Sequence, residues 1–214
     1  MKKHLIDDVP GSRAKELKNT FRDFDIVILD AEQMTKDLLT MPLWQNADQW
    51  RTLIILPGNG ANIVRRYIET LDRFWLWQWP WKAFPPAKRI WMPGQSPVAL
   101  TSRISNGFYA GLKLAIIIDD VVSSGETCRK LRKLNLPHLP NVEWQIATWA
   151  RQESANTNGF AKIYACRTVG ETTGKAPINS LSTLLQVQDI AKSYALRNFG
   201  NRADSFLQLL EDCR

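Results

Sequence analysis

Five consecutive apolar residues, Leu114-Ala115-Ile116-Ile117-Ile118, run directly into two acids, Asp119-Asp120, and this junction constrains the fold more than any other part of the chain. A continuous apolar run rich in β-branched residues is the pattern of a strand buried on both faces. Val121-Val122-Ser123-Ser124-Gly125-Glu126-Thr127 follows, and a helical pattern extends from Gly125 to Leu134. The same alternation recurs along the chain. Residues 14–24 read as a short helix, Asp25 to Asp30 as a strand and 31–40 as a helix. Thr52 to Leu56 reads as a buried strand, and Ala61 to Arg73 as a helix with Ile63, Tyr67, Ile68 and Leu71 on one face. Arg89 to Met92, Val142 to Trp149 and Ala161 to Cys166 read as strands, and 184–197 and 202–212 as helices. Ser154 to Gly159 reads as a surface turn. Alternating strands and helices predict an α/β fold, a mostly parallel sheet flanked by helices.

The acids at the end of the buried strand carry the chemistry. Open α/β sheets bind ligands outside the carboxyl ends of their strands. Two adjacent carboxylates there repel each other and lose hydration. A metal, sugar hydroxyls or a basic partner must compensate, unless the pair is a structural helix-entry feature. Ser123, Ser124 and Thr127 each offer a hydroxyl, and the loop N–H groups at a helix start favour an anion. A ligand with adjacent hydroxyls at one end and a phosphate at the other matches this order of groups, as a ribose 5-phosphate does.

A second strand–turn–helix lies at Leu53-Ile54-Ile55-Leu56-Pro57-Gly58-Asn59-Gly60-Ala61-Asn62. Its glycines let backbone approach a ligand closely, and the helix start makes an anion cradle. A tight turn without a ligand is the bland alternative. Gly58-x-Gly60-x-x-Ile63 falls short of the dinucleotide fingerprint, because Ile63 replaces the third glycine. The acid expected about 20 residues on is also missing. No Asp or Glu occurs in the 46 residues from Arg73 to Ile118.

That acid-free block contains Arg73, Lys82, Lys88, Arg89, Arg103 and Lys113, which account for +6 of the net charge of +7. Local basicity points to one anionic ligand or one patch, or to a solvated basic face. Five of the nine tryptophans lie between Trp75 and Trp91, with Pro80, Pro85 and Pro86 among them. The prolines exclude a long helix or central strand, so the segment reads as an ordered loop or hairpin-like flap. Its aromatics could stack on bases, or form a satellite core or subunit interface.

With 214 residues, 44% hydrophobic and 23% charged, the chain reads as one ordered domain over residues 1–214. No apolar run approaches the roughly 18 residues of a membrane span, and the first residues lack the apolar centre of a signal peptide. Cys128, Cys166 and Cys213 have no metal-ligand spacing, and there are only two histidines. These features predict a cytoplasmic protein with reduced thiols and no membrane partner.

Ala115 to Thr127 resembles the phosphoribosyl-diphosphate motif of type I phosphoribosyltransferases: an apolar strand, two acids, two apolar residues, small hydroxyl residues, Gly, any residue, then Thr or Ser. Every position conforms. The order of elements from about residue 50 to 167 is similar to the family core, whereas the first and last fifty residues show no specific match. The resemblance implies a core over residues 50–167, with a base-recognising hood from 1–50 or 168–214. It implies that Asp119 and Asp120 meet the ribose hydroxyls near Mg2+, and that Ser123, Ser124, Gly125, Glu126 and Thr127 hold the 5′-phosphate. Pro57, Gly58, Asn59 and Gly60 stand at the diphosphate loop, without the Lys or Arg that the loop often has. Arg65 and Arg66 lie one turn further on. The Trp-rich block occupies the place of a mobile flap, with Lys82, Lys88, Arg89 and Arg103 as candidates to neutralise the leaving diphosphate.

The implied reaction is magnesium-dependent transfer of ribose 5-phosphate from phosphoribosyl diphosphate to a nitrogen acceptor, with release of diphosphate. No covalent nucleophile is needed. Members acting on 6-oxopurines usually carry Asp where Ser123 stands, so Ser123 disfavours those acceptors. Gly170 to Lys175 is polar and turn-rich, suited to an acceptor pocket or to a surface loop. The main alternative is a non-catalytic regulator of the same fold that senses phosphoribosyl diphosphate or a nucleotide and binds nucleic acid or protein. A nucleotide-binding protein of another α/β family is a third reading. Trp-rich surface also suggests a homodimer.

Overall fold

The apolar run at 114–118 forms the middle of a five-stranded sheet in the computed structural model, which describes residues 2–90, 98–104, 111–170 and 178–213, with backbone alone at 88–90 and 98–100. In chain order the strands are β1 (Lys3–Asp7), β2 (Ile26–Asp30), β3 (Thr52–Ile55), β4 (Trp81–Ala83), β5 (Ala87–Ile90), β6 (Val98–Thr101), β7 (Leu114–Val122), β8 (Glu143–Gln152), β9 (Lys162–Val169) and β10 (Asn179–Ser180). The helices are α1 (Ala14–Thr20), α2 (Ala31–Leu39), α3 (Pro42–Asn46), α4 (Gly58–Leu71), α5 (Glu126–Asn135), α6 (Leu181–Gln186), α7 (Gln188–Phe199) and α8 (Ala203–Glu211). The chain divides into two compact units: residues 1–34 with 169–214 (unit 1), and residues 35–168 (unit 2).

Unit 2 is built on the order β4-β3-β7-β8-β9. β3 pairs in parallel with β4 and with β7, and β7 pairs in parallel with β8. The expected mostly parallel sheet flanked by helices is therefore what the chain forms. Ile116, Ile117 and Ile118 are wholly buried, as are Leu53, Ile54 and Ile55 beside them. Each such side chain stabilises by about 1.5–3 kcal/mol relative to exposure. Strands covered on both faces read as unbroken apolar runs, which is why these two were legible. α4 and α5 connect β3 to β4 and β7 to β8. α5 packs Cys128 and Leu131 into the cluster formed by Leu53, Ile55, Ala115, Ile117, Trp144 and Ile146.

The Trp-rich segment splits by role. Trp75, Leu76 and Trp79 are buried around a short 3-10 turn, Trp75–Gln78. Trp44 on α3 packs edge-on against Trp75 at 4.8 Å and against Trp79 at 5.6 Å. This is a satellite core. Trp77, on the same turn, stays 80% exposed. The hairpin-like element comes later in the chain, where β5 and β6 pair antiparallel from Ala87↔Thr101 to Ile90↔Val98. The strand expected at Arg89–Met92 thus begins earlier, at Ala87, and Trp91 and Met92 lie outside the described residues, as do 171–175.

Unit 1 joins the two ends of the chain. β1 lies between β2 and β10 and is parallel to both. The sequence hid β1 because Lys3 and His4 interrupt its apolar character, leaving Leu5 and Ile6 as the buried pair. The helix expected over 184–197 is two helices. The Ser180 hydroxyl caps the first by accepting from the Thr183 N–H at 3.2 Å, and Val187, at φ −119° and ψ 90°, breaks between them. The core is aromatic: Phe199 stacks on Phe206 at 4.2 Å, and Phe21 meets both edge-on. Replacing Phe206 by Ala is expected to cost about 3–5 kcal/mol, read as a lowered urea midpoint followed by far-UV circular dichroism.

Candidate functional site

Neighbouring strands β3 and β7 feed crossovers that leave in opposite directions, β3 through α4 to β4 and β7 through α5 to β8. Their carboxyl ends therefore flank a topological switch point, the place where open α/β sheets leave a crevice for ligands. Both sequence-predicted loops open there. Leu53↔Ala115 and Ile55↔Ile117 set the register.

On the β3 side, Pro57 caps α4, and Gly58 begins the helix three residues earlier than the sequence pattern suggests. Gly58 has φ +67°, and its N–H donates to the Pro85 carbonyl at 3.0 Å. A Cβ at Gly58 would lie 2.6 Å from the Ala87 carbonyl oxygen, so only glycine fits where β5 begins. Asn59 and Gly60 then stand in the first helical turn, whose N–H groups lack partners within a helix. This turn carries no acid.

On the β7 side, Asp119 and Asp120 are half-buried at the strand end. Asp119 Oδ1 accepts from the Asp120 N–H at 3.0 Å, and Asp120 Oδ1 from the Val121 N–H at 2.7 Å. The buried Thr148 hydroxyl on β8 donates to the Asp120 carbonyl at 3.0 Å. Ser123 is half-buried and Ser124 exposed. Gly125 takes φ +73° as the cap of α5, and the Ser124 hydroxyl accepts from the Glu126 N–H at 3.3 Å. Glu126 and Thr127 occupy the first turn of α5 and are half-buried. The 154–159 turn braces this loop: the Asn156 N–H donates to the Ser124 carbonyl at 3.2 Å, and the Asn156 carbonyl group fills the space where a Cβ at Gly125 would be.

The two loops meet. The Asp120 carboxylate lies against Gly60, with its Cγ 2.6 Å from where a Cβ would stand. Asp120 and the 57–60 turn thus form one constellation, and the 123–127 loop follows from the same strand end. The basic candidates are placed differently. Lys82 on β4 donates to the Leu76 and Trp79 carbonyls at 3.0 and 2.6 Å, and burial lowers its pKa. Lys88 and Arg89 lie on β5, whose first residue abuts Gly58, and their side chains are outside the described residues. Arg103 is exposed after β6. Arg65 is held by Glu69 at 3.6 Å and sits 5.2 Å over the Phe84 ring.

Arg151 was not singled out from sequence. It lies at the end of β8 in register with Val122, and its buried Nε has no hydrogen-bond partner among the described residues. Only strand register reveals that neighbourhood. A cation closing the strand after the Asp-Asp strand is the one trace of it in the sequence.

Cysteine chemistry is absent from the constellation. Burial pushes the Cys166 thiol up to about 12 and raises that of Cys213, while Cys128 is buried inside α5. Among the described residues no group of three or more His, Cys, Asp or Glu side chains could hold a metal by itself. No described helix is long and apolar enough to cross a membrane.

No family model and no curated protein matches the chain. Among solved structures, a hypothetical protein from Neisseria gonorrhoeae with bound ppGpp is similar at 14% identity and TM-score 0.48, over 77% of this chain and 90% of that one. Helicobacter pylori xanthine-guanine-hypoxanthine phosphoribosyltransferase is similar at 13% identity and TM-score 0.48, over 89% and 98%. A purine phosphoribosyltransferase from Pyrococcus horikoshii is similar at 19% identity and TM-score 0.42, over 65% and 86%. Scores and identities this low assign no activity to the chain.

Gly125→Ala is expected to lose roughly 1–3 kcal/mol through backbone strain alone, with the Asn156 contact adding to it; urea unfolding measures the loss. At pH 8 in the folded state, iodoacetamide is expected to leave Cys166 unmodified for far longer than in urea, because a thiol titrating near 12 is almost wholly protonated there. Peptide mapping of the alkylated chain reads this directly.

Proposed function

We propose that unit 2 is the core of a magnesium-dependent phosphoribosyltransferase that transfers ribose 5-phosphate from phosphoribosyl diphosphate to a nitrogen acceptor and releases diphosphate. The observation that supports this reading is the meeting of Asp120 with Gly60 at the switch point, which brings the end of the acid-bearing strand against the glycine turn that starts α4.

In this reading Asp119 and Asp120 accept hydrogen bonds from the ribose 2′ and 3′ hydroxyls. The N–H groups and hydroxyls of Ser123, Ser124, Gly125, Glu126 and Thr127 hold the 5′-phosphate at the start of α5. The turn at Pro57, Gly58, Asn59 and Gly60 receives the diphosphate. The acceptor nitrogen attacks C1 as the bond to the diphosphate oxygen breaks, through a state with oxocarbenium character. Positioning and charge stabilisation supply the acceleration. The hairpin of β5 and β6 starts against Gly58 and serves as the flap that excludes water, bringing Lys88, Arg89 and Arg103 on its strands and edge to the leaving group. Lys82 is assigned a structural part, since backbone carbonyls already hold its ammonium.

The donor set fits Mg2+. Two carboxylates on consecutive residues are hard oxygen ligands, and magnesium usually takes one or two carboxylates together with substrate phosphates. Asp119 and Asp120 would hold it, directly or through water and sugar hydroxyls, and its chemistry there is to neutralise diphosphate charge. Arg151 puts a guanidinium on the β8 side of the phosphate loop, suited to an anionic or carbonyl-bearing acceptor. Ser123 removes the acid expected for 6-oxopurines. The hood is assigned to residues from 1–50, from 168–214, or from both.

A sensor that binds the same sugar diphosphate without turnover shares this site, and diphosphate release separates the two. Calorimetric titration with phosphoribosyl diphosphate is expected to show binding that requires magnesium and disappears in Asp119→Asn with Asp120→Asn. Equal binding by a folded double variant would falsify the assignment.

A further inference from the structure

The opposite edge of the same sheet carries a second feature. Arg51 and Lys113 immediately precede the first register pair of β3 and β7, Thr52↔Leu114, and the Lys113 N–H donates to the Arg51 carbonyl at 2.9 Å. Seven residues of strand, roughly 23 Å, separate Lys113 from Asp120. At this edge Trp50 is 74% exposed, Trp77 80% and Phe74 59%. Their turns are tied together: Gln49 donates to Gln78 at 3.4 Å, and the Trp81 indole donates to the Trp50 carbonyl at 2.8 Å. Arg73 lies 4.6 Å over the Phe74 ring. Arg51, Arg73 and Lys113 are exposed. Two acids lie on the same turns and shape them: Asp48 accepts from the Trp50 N–H and pairs with Arg51 at 3.8 Å, and Asp72 accepts from the Phe74 N–H.

We propose that this edge is a platform for single-stranded nucleic acid, with Trp50, Phe74 and Trp77 stacking on bases and Arg51, Arg73 and Lys113 meeting phosphates. Single-strand binders combine these two elements, and the aromatic faces accept any base. Charge selects the occupant. Unit 2 holds 17 of the 28 Lys and Arg residues but nine of the 21 Asp and Glu, a net charge of +8, while unit 1 carries −1. A polyanion complements that excess. A second copy docking by this edge would set like charges together. The platform does not depend on the sugar site, which lies at the other end of the strands.

The test is fluorescence anisotropy of a fluorescein-labelled oligo(dT) titrated with the full chain at low salt. Binding is expected, with log K falling linearly as log salt rises. Trp50→Ala and Trp77→Ala are each expected to weaken it about tenfold, and Arg73→Gln with Lys113→Gln to reduce the salt slope by roughly two. Far-UV circular dichroism should be unchanged, since the replaced side chains are exposed. Asp119→Asn with Asp120→Asn should leave oligonucleotide binding intact, and loss there would relocate it to the sugar site and overturn the proposal. So would no binding by the folded chain, or binding indifferent to both tryptophans. Sedimentation showing a dimer that the tryptophan variants dissociate would give the edge to a second copy instead.

Discussion

The close approach of the Asp120 carboxylate to Gly60, into the space a Cβ would take, is the constraint on which the candidate site depends. It exists because β3 and β7 are neighbours whose crossovers diverge, so the first turn of α4 comes up against the carboxyl end of β7. Each partner is fixed from behind. The Asp120 backbone is held by Thr148 and its carboxylate by the Val121 N–H. Gly60 is fixed by the helix that Pro57 caps and Gly58 anchors to Pro85. A side chain at position 60 would push the carboxylate away. Glycine here serves proximity, whereas at Gly58 and Gly125 it serves both proximity and a positive φ.

What could be read from the sequence follows from how local each determinant is. β3 and β7 announced themselves because both faces of a central parallel strand are buried, so the apolar run is unbroken. The Asp119 to Thr127 loop was legible for the same reason: its chemistry lies in consecutive residues. Long-range register was not legible. Nothing in the spacing of Gly60 and Asp120 shows that they touch, and nothing marks Arg151 as the neighbour of Val122. β1 was missed because edge charges diluted its pattern. Nor does the basic character of Lys82 show that the Leu76 and Trp79 carbonyls hold its ammonium beside a 3-10 turn.

The tryptophans show how one composition can carry two roles. Residues 75, 77 and 79 alternate, and the turn sends the outer two inward against Trp44 while Trp77 faces solvent. The buried pair anchors the proline-rich stretch just ahead of β4, where it joins the sheet beside β3. The exposed one is not needed for that anchor. An indole left 80% exposed contributes little to folding.

Paired acids at a strand end do not by themselves define a ligand site, and the chain contains its own control. Ile-Asp-Asp-Val occurs twice, at residues 6–9 after β1 and at 118–121 in β7. In unit 1 the second acid, Asp8, is 4% exposed and accepts from both the backbone N–H and the hydroxyl of Ser182, while Asp7 accepts from Ser12. Asp8 holds the start of α6, and Asp7 holds the turn before α1. In unit 2 the two acids are half-buried, each accepts from the N–H of the residue after it, and a glycine at a helix start lies against Asp120. A cap needs its donors supplied by the protein. A diol site must keep acceptor capacity for hydroxyls that arrive from outside. The same four residues therefore do different work: β1 ends at Asp7 and leaves Asp8 to a serine, whereas β7 continues to Val122 and sets Asp120 against a glycine.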